Sequence, residues 1–97
     1  MTKTEHVIME LTVNNHPGVM YNITGLFARR AFNLEGILCG RAENTNTSKM
    51  YLLIKNDNRI DQTIKQLEKL YDVLSVSICS DCDVRVFDNI SKLIKLK

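Results

Sequence analysis

The spacing of apolar residues switches repeatedly along this 97-residue chain, and that order of periods limits the folds open to it. From His6 to Val13 the pattern alternates, with Val7, Met9, Leu11 and Val13 on one face and His6, Glu10 and Thr12 on the other. That is the period of a half-buried strand. Asn14-Asn15-His16-Pro17-Gly18 ends it as a loop, and Pro17 suits the first position of a helix, where its missing N–H is no loss. Val19, Ile23, Leu26, Phe27 and Ala31 then mark one face of a helix reaching about Phe32. Arg29 and Arg30 fall in its last turn, where cations complement the helix dipole and stand in solvent.

Asn33 to Glu43 and Ser48 to Lys55 read as two further strands joined by the turn-forming tract Asn44-Thr45-Asn46-Thr47. Gly36 and Gly40 interrupt the first of them, as at a bulge or a close approach. A second helix opens near Asp57, with Asn58 as N-cap, Asp61 in the first turn and Ile60, Ile64, Leu67 and Tyr71 as buried stripe. Leu74, Val76 and Ile78 alternate with Ser75, Ser77 and Cys79 as a fourth strand. Beyond Asp83, Phe87, Ile90 and Ile94 are spaced for a short amphipathic helix, which is marginal in water unless it docks.

The order β-α-β-β-α-β predicts an α+β, ferredoxin-like sandwich: a four-stranded antiparallel sheet in the order 4-1-3-2 with two helices on one face. The expected division is a core domain over residues 1–83 and a C-terminal helical tail over 84–97. The second strand becomes an edge with little to blunt it, since its stretch Leu34 to Cys39 carries one Glu and no Lys or Pro. Pairing with its own copy across a two-fold axis predicts a homodimer.

The fold leaves function open, and the residues narrow it. A net charge of +2 gives no support to nucleic-acid or electrostatic membrane binding. Only Tyr51 offers an aromatic on the two central strands, too little for an RNA-stacking platform. The longest apolar run, Met50 to Ile54, is far short of the roughly 20 residues that span a bilayer. The first residues lack a hydrophobic signal core, so the expected location is the cytoplasm, with Cys39, Cys79 and Cys82 as reduced thiols. Cys79 and Cys82 form a lone CxxC without the second ligand pair that zinc requires, so no metal is expected in this chain. No nucleophile–base pair is visible, which speaks against an independent enzyme.

The loop after the first strand offers backbone donors at Gly18 and Val19, at a helix start where a carboxylate is favoured. In an edge-to-edge dimer, Asn33 of one copy approaches Asn15 of the other, so the two side chains can grip one small zwitterion. The residues alone leave a second reading, in which Asn14, Asn15 and Asn33 are ordinary turn and cap residues.

Leu11-Thr-Val-Asn-Asn-His-Pro-Gly-Val19 and Gly25-Leu-Phe-Ala-Arg-Arg-Ala-Phe-Asn-Leu-Glu-Gly-Ile37 resemble the small regulatory subunits of acetolactate (acetohydroxyacid) synthase, of the short isozyme I type. These carry an ACT domain, an amino-acid-sensing member of the ferredoxin-like fold. The resemblance implies a non-catalytic partner of a large subunit that uses thiamine diphosphate, magnesium and FAD, with no cofactor in this chain. It also implies activation of that subunit, feedback inhibition by valine, and an effector site at the ACT dimer interface. Carried over by motif, that site comprises Asn15, His16, Pro17, Gly18, Val19 and Met20 of one copy, with Asn33, Leu34 and Ile37 of the other. A stand-alone ACT protein sensing an amino acid for some other partner is the alternative.

Overall fold

The computed structural model describes residues 6–43 and 46–95. Its elements run β1 (His6–Asn14), α1 (Val19–Arg29), β2 (Leu34–Arg41), β3 (Thr47–Lys55), α2 (Ile60–Glu68) and β4 (Val73–Ile78). A 3-10 helix (Val84–Asn89) and a short helix α3 (Ile90–Ile94) follow. The strands form one sheet ordered β2-β3-β1-β4 with every neighbouring pair antiparallel, the arrangement expected from the sequence. Of the turn tract between β2 and β3, Asn44 and Thr45 lie outside the described residues, as do Leu96 and Lys97 of the tail.

Alternation along the two central strands builds the core. Met9, Leu11 and Val13 of β1 and Met50, Leu52 and Ile54 of β3 lie on one face and are essentially inaccessible. Val19, Ile23, Leu26 and Phe27 of α1 and Ile60 and Leu67 of α2 close over them. Each such side chain contributes roughly 1.5–3 kcal/mol by leaving water.

Helix α1 ends earlier than its apolar spacing suggests. Ala31 takes a left-handed φ of 61°. The N–H of Ala31 donates to the Ala28 carbonyl at 3.1 Å and that of Phe32 to the Phe27 carbonyl at 3.0 Å. Together these form a Schellman motif, in which the two residues after the cap return to the last turn. Its accompanying apolar contact is Phe32 edge-on to Phe27, ring centres 5.8 Å apart. Ala31 is therefore exposed rather than part of the buried face, and Phe32 is buried by the chain reversal. Arg59 covers the Phe32 ring at 4.4 Å, and Arg30 Nε donates to Gln66 Oε1 at 2.8 Å, fastening the reversal to α2. Because a Cβ disfavours this backbone region, Ala31→Gly is expected to stabilise the protein by about 1 kcal/mol in urea denaturation. A loss of stability would contradict the motif.

Several local expectations are corrected by the structure. Pro17 lies in a turn, and α1 begins at Val19 after Gly18. Before α2, Arg59 rather than Asn58 stands at the N-cap, and Asp57 Oδ1 accepts its N–H at 2.8 Å. The Arg59 side chain and this N–H pull the Asp57 carboxyl down to about 2. Tyr71 falls beyond the end of α2 and is exposed, while Thr63 takes the buried position, its hydroxyl donating to the Arg59 carbonyl at 3.0 Å. In β4 a register shift opposite Thr12 and Val13 turns Val73 into the core and leaves Leu74 exposed.

The other face of the sheet carries no α1 or α2. At one end, Glu10, Thr12, Lys49 and Tyr51 form a polar cluster in which Lys49 Nζ lies 2.8 Å from Glu10 Oε2. The lysine holds the Glu10 carboxyl below its ordinary value. At the other end the chain after β4 folds back. Phe87 lies over Gly36, where a Cβ would come within 2.9 Å of Phe87 Cε1. The bulge expected of that glycine lies in β2 between Leu34 and Gly36, while the group that approaches it is the Phe87 side chain rather than backbone or ligand. The thiols are corrected too: Cys39 is free, whereas Cys79 and Cys82 are joined in a disulfide.

Candidate functional site

The loop from Asn15 to Gly18 is held from two sides. The Asn15 N–H donates to the Asn46 carbonyl at 2.9 Å. Asp72, in the connection from α2 to β4, accepts from Asn14 Nδ2 at 3.2 Å and contacts His16 Nε2 at 2.9 Å. The Asn14 N–H donates to the Asp72 carbonyl at 2.8 Å. His16 is thus a fastener of the loop, its ring turned to Asp72. Nothing local in the sequence signals this, because Asp72 is far downstream and the contact exists only once β4 lies beside β1.

Gly18 begins α1 with a φ of 88°, a left-handed conformation that favours glycine. A Cβ there would meet nothing within 4 Å, so the space before the helix is open. No side chain caps α1, and its first turn holds no acidic residue. The positive end of the helix dipole therefore faces the open space with no cap from its own first turn, a setting that favours an anion. The Val19 N–H leans back to the His16 carbonyl at a long 3.4 Å. Val19 itself is buried and Met20 is 42% exposed.

Asn33, Leu34 and Ile37 are placed elsewhere. Leu34 pairs with Ile54 at the end of the sheet where β1 begins, whereas Arg41 pairs with Ser48 beside the end of β1. Asn33 and the Asn15–Gly18 loop of one chain are thus separated by the length of β2, roughly 23 Å at strand rise. Ile37 lies midway, opposite Leu52 on the helix-bearing face, and remains 37% exposed. Cys39 follows on the same face, also exposed, with burial pushing its thiol above the ordinary value. β2 is the outermost strand of the sheet on its side. Within one chain the two halves of the candidate site do not meet.

Among the described residues, Cys79, Asp81 and Cys82 bring potential metal-ligand atoms within 4.8 Å of one another. The two sulfurs are bonded to each other, which removes them as thiolate donors. Among the described residues, no helix is long and apolar enough to cross a membrane.

Residues 9–75 match the family described as the AHAS small subunit-like ACT domain. The chain is 53% identical over 75 residues to the acetolactate synthase isozyme 1 small subunit of Escherichia coli (strain K12), covering 77% of this chain and 78% of that one. Its fold superposes on the acetolactate synthase small subunit from Thermotoga maritima with a TM-score of 0.72 and 34% identity, over 81% of this chain and 50% of that one. The ACT domain of GTP pyrophosphokinase from Chlorobium tepidum shares the fold alone, with a TM-score of 0.65 at 19% identity over 79% of this chain and 88% of that one.

Proposed function

This chain belongs to the family of AHAS small subunit-like ACT domains, and from that membership we propose that it is the regulatory, non-catalytic subunit of an acetolactate synthase. Its partner is the large catalytic subunit, in the cytoplasm, where thiamine diphosphate, magnesium and FAD reside; this chain contributes no cofactor. It raises the activity of that subunit and makes it sensitive to valine.

The observation that carries the valine reading is one chain holding two unfinished halves: an uncapped helix start opened by Gly18, and an outermost strand β2 with Ile37 exposed. Two copies joined along β2 complete each half with the other. The ligand carboxylate then faces the start of α1, and Asn15 of one copy and Asn33 of the other hold carboxylate and ammonium. Met20, Leu34 and Ile37 wall the branched side chain, with His16 and Pro17 shaping the loop. One methylene changes affinity by only about 1–3 kcal/mol in such a pocket, so leucine and isoleucine bind more weakly rather than not at all. By bridging two copies, valine favours one arrangement of the assembly over another, with a coupling of about 1–3 kcal/mol.

Reconstitution with the large subunit tests the reading. Addition of this chain is expected to raise acetolactate synthase activity and to confer inhibition by valine but not by serine. Failure to bind the large subunit would overturn it. In the same assay, Asn33→Ala is expected to raise the valine concentration for half-inhibition by about tenfold, the weight of one hydrogen bond to a charged group. Subunit assembly should be unchanged; a loss of assembly would make Asn33 a structural residue instead.

A further inference from the structure

The CxxC pair has no part in the site above, yet its position in the fold is specific. Cys79 immediately follows β4, and its N–H donates to the Ile8 carbonyl at 2.8 Å, so it is fixed to the sheet. Cys82 immediately precedes Asp83, whose Oδ1 caps the 3-10 helix by accepting the Arg85 N–H at 2.9 Å. The disulfide therefore closes the turn Ser80-Asp81 that aims the tail back across the sheet. Where the tail lands, Ile8, Leu38, Tyr51, Cys82, Val86 and Phe87 line a mainly apolar cavity of about 220 Å³.

Little else holds the tail in that place. None of the residues of the 3-10 helix or α3 is buried, and Val84, Val86, Leu93 and Ile94 remain exposed. Phe87 is the main insertion, and it is admitted only because Gly36 lacks a side chain. A five-residue helix has no stability of its own in water. The direction of the chain at residues 79–83 thus decides whether the tail covers this face.

We propose that Cys79–Cys82 is a redox modification site, a latch opened by dithiol reductants, which keeps the C-terminal tail on the helix-free face when oxidised and releases it when reduced. A thiolate of the reductant attacks one sulfur of the pair and displaces the other as a thiolate. The second thiol of the reductant then resolves the mixed disulfide. Two electrons and two protons pass to this chain, which ends with two thiols, and the dithiol ends as a disulfide. Release uncovers Ile8, Gly36, Leu38 and Tyr51 on the helix-free face of the sheet.

The full 97-residue chain tests this, oxidised with glutathione disulfide and then reduced with dithiothreitol. Reactive thiols per chain are expected to rise from one, Cys39, to three. Contacts between the Phe87 ring and the Gly36 α-protons, read by NMR, should be present when oxidised and lost when reduced. Trypsin cleavage after Arg85 should accelerate about tenfold on reduction, the scale set by closing so short a loop. Cys79→Ser with Cys82→Ser should behave as the reduced protein in both buffers. Gly36→Ala should free the tail with the disulfide intact, because its Cβ takes the space of Phe87. Equal cleavage rates and equal Phe87–Gly36 contacts in the two states would overturn the latch, as would a pair that stays reduced in glutathione disulfide. None of these readouts depends on valine or on the catalytic subunit, so the latch and the regulatory reading fail separately.

Discussion

In a reconstituted enzyme carrying Gly18→Asp, valine is expected to lose its inhibitory effect while subunit assembly and basal activation persist. The position tolerates the change sterically, since nothing lies within 4 Å of a Cβ there. Its φ of 88° makes any side chain costly, by about 1–2 kcal/mol, and Asp is among the residues that bear this best. Such a loss is small beside the ~5–15 kcal/mol that holds a domain together. The effect on the ligand is larger. Two carboxylates some 4 Å apart repel by about 4 kcal/mol at an effective dielectric constant of ~20. That corresponds to roughly a thousandfold in affinity. Gly18→Asn has nearly the same shape without the charge, and it should keep the valine response within about tenfold. The measurement is the valine concentration for half-inhibition of the three proteins, with circular dichroism to establish that each is folded. Unchanged inhibition in Gly18→Asp would remove the carboxylate from the start of α1.

Phe27→Ala should have the largest effect on stability. Phe27 is wholly inaccessible, belongs to the same core cluster as Met9, Leu52 and Ile54, and meets Phe32 at an interplanar angle of 72°. Its removal costs about 3–5 kcal/mol through lost transfer energy and the cavity left behind. It also deletes the apolar contact that closes the Schellman motif, through which the chain turns to deliver Asn33 to β2. Thermal unfolding should therefore fall by more than about 15 °C. A shift of only a few degrees would mean that the helix-bearing core packs differently from the arrangement described.

The order of elements and the strand order were legible because period two and period three to four alternate cleanly, and chain connectivity restricts how such elements stack. The edge position of β2 and the loop around Gly18 followed from that order, and the bulge at Gly36 from a glycine inside a strand. What was not legible depends on partners distant in sequence. Asp72 fixes the loop only because β4 returns beside β1, and Phe87 reaches Gly36 only because the tail recrosses the sheet. Tyr71 was misplaced because apolar spacing continues past the point where α2 stops, and Ala31 because a left-handed residue need not be glycine. The disulfide is not legible because an argument about compartment says nothing about where two sulfurs lie in the fold. The candidate site was legible as a loop motif and a strand motif. Their distance apart in one chain is what the structure adds.

The central claim is that each valine site is split between two copies, and mixing two defective variants tests it most directly. Gly18→Asp damages the loop half and Asn33→Ala the strand half, so neither homodimer retains an intact site. In a hybrid dimer both defects fall at one site, and the other is built from an intact loop and an intact Asn33. Chains mixed equally in the presence of the large subunit and titrated with valine by calorimetry should regain about one site per four chains. No recovery of valine binding in the mixture would place the whole site within a single chain and contradict the account.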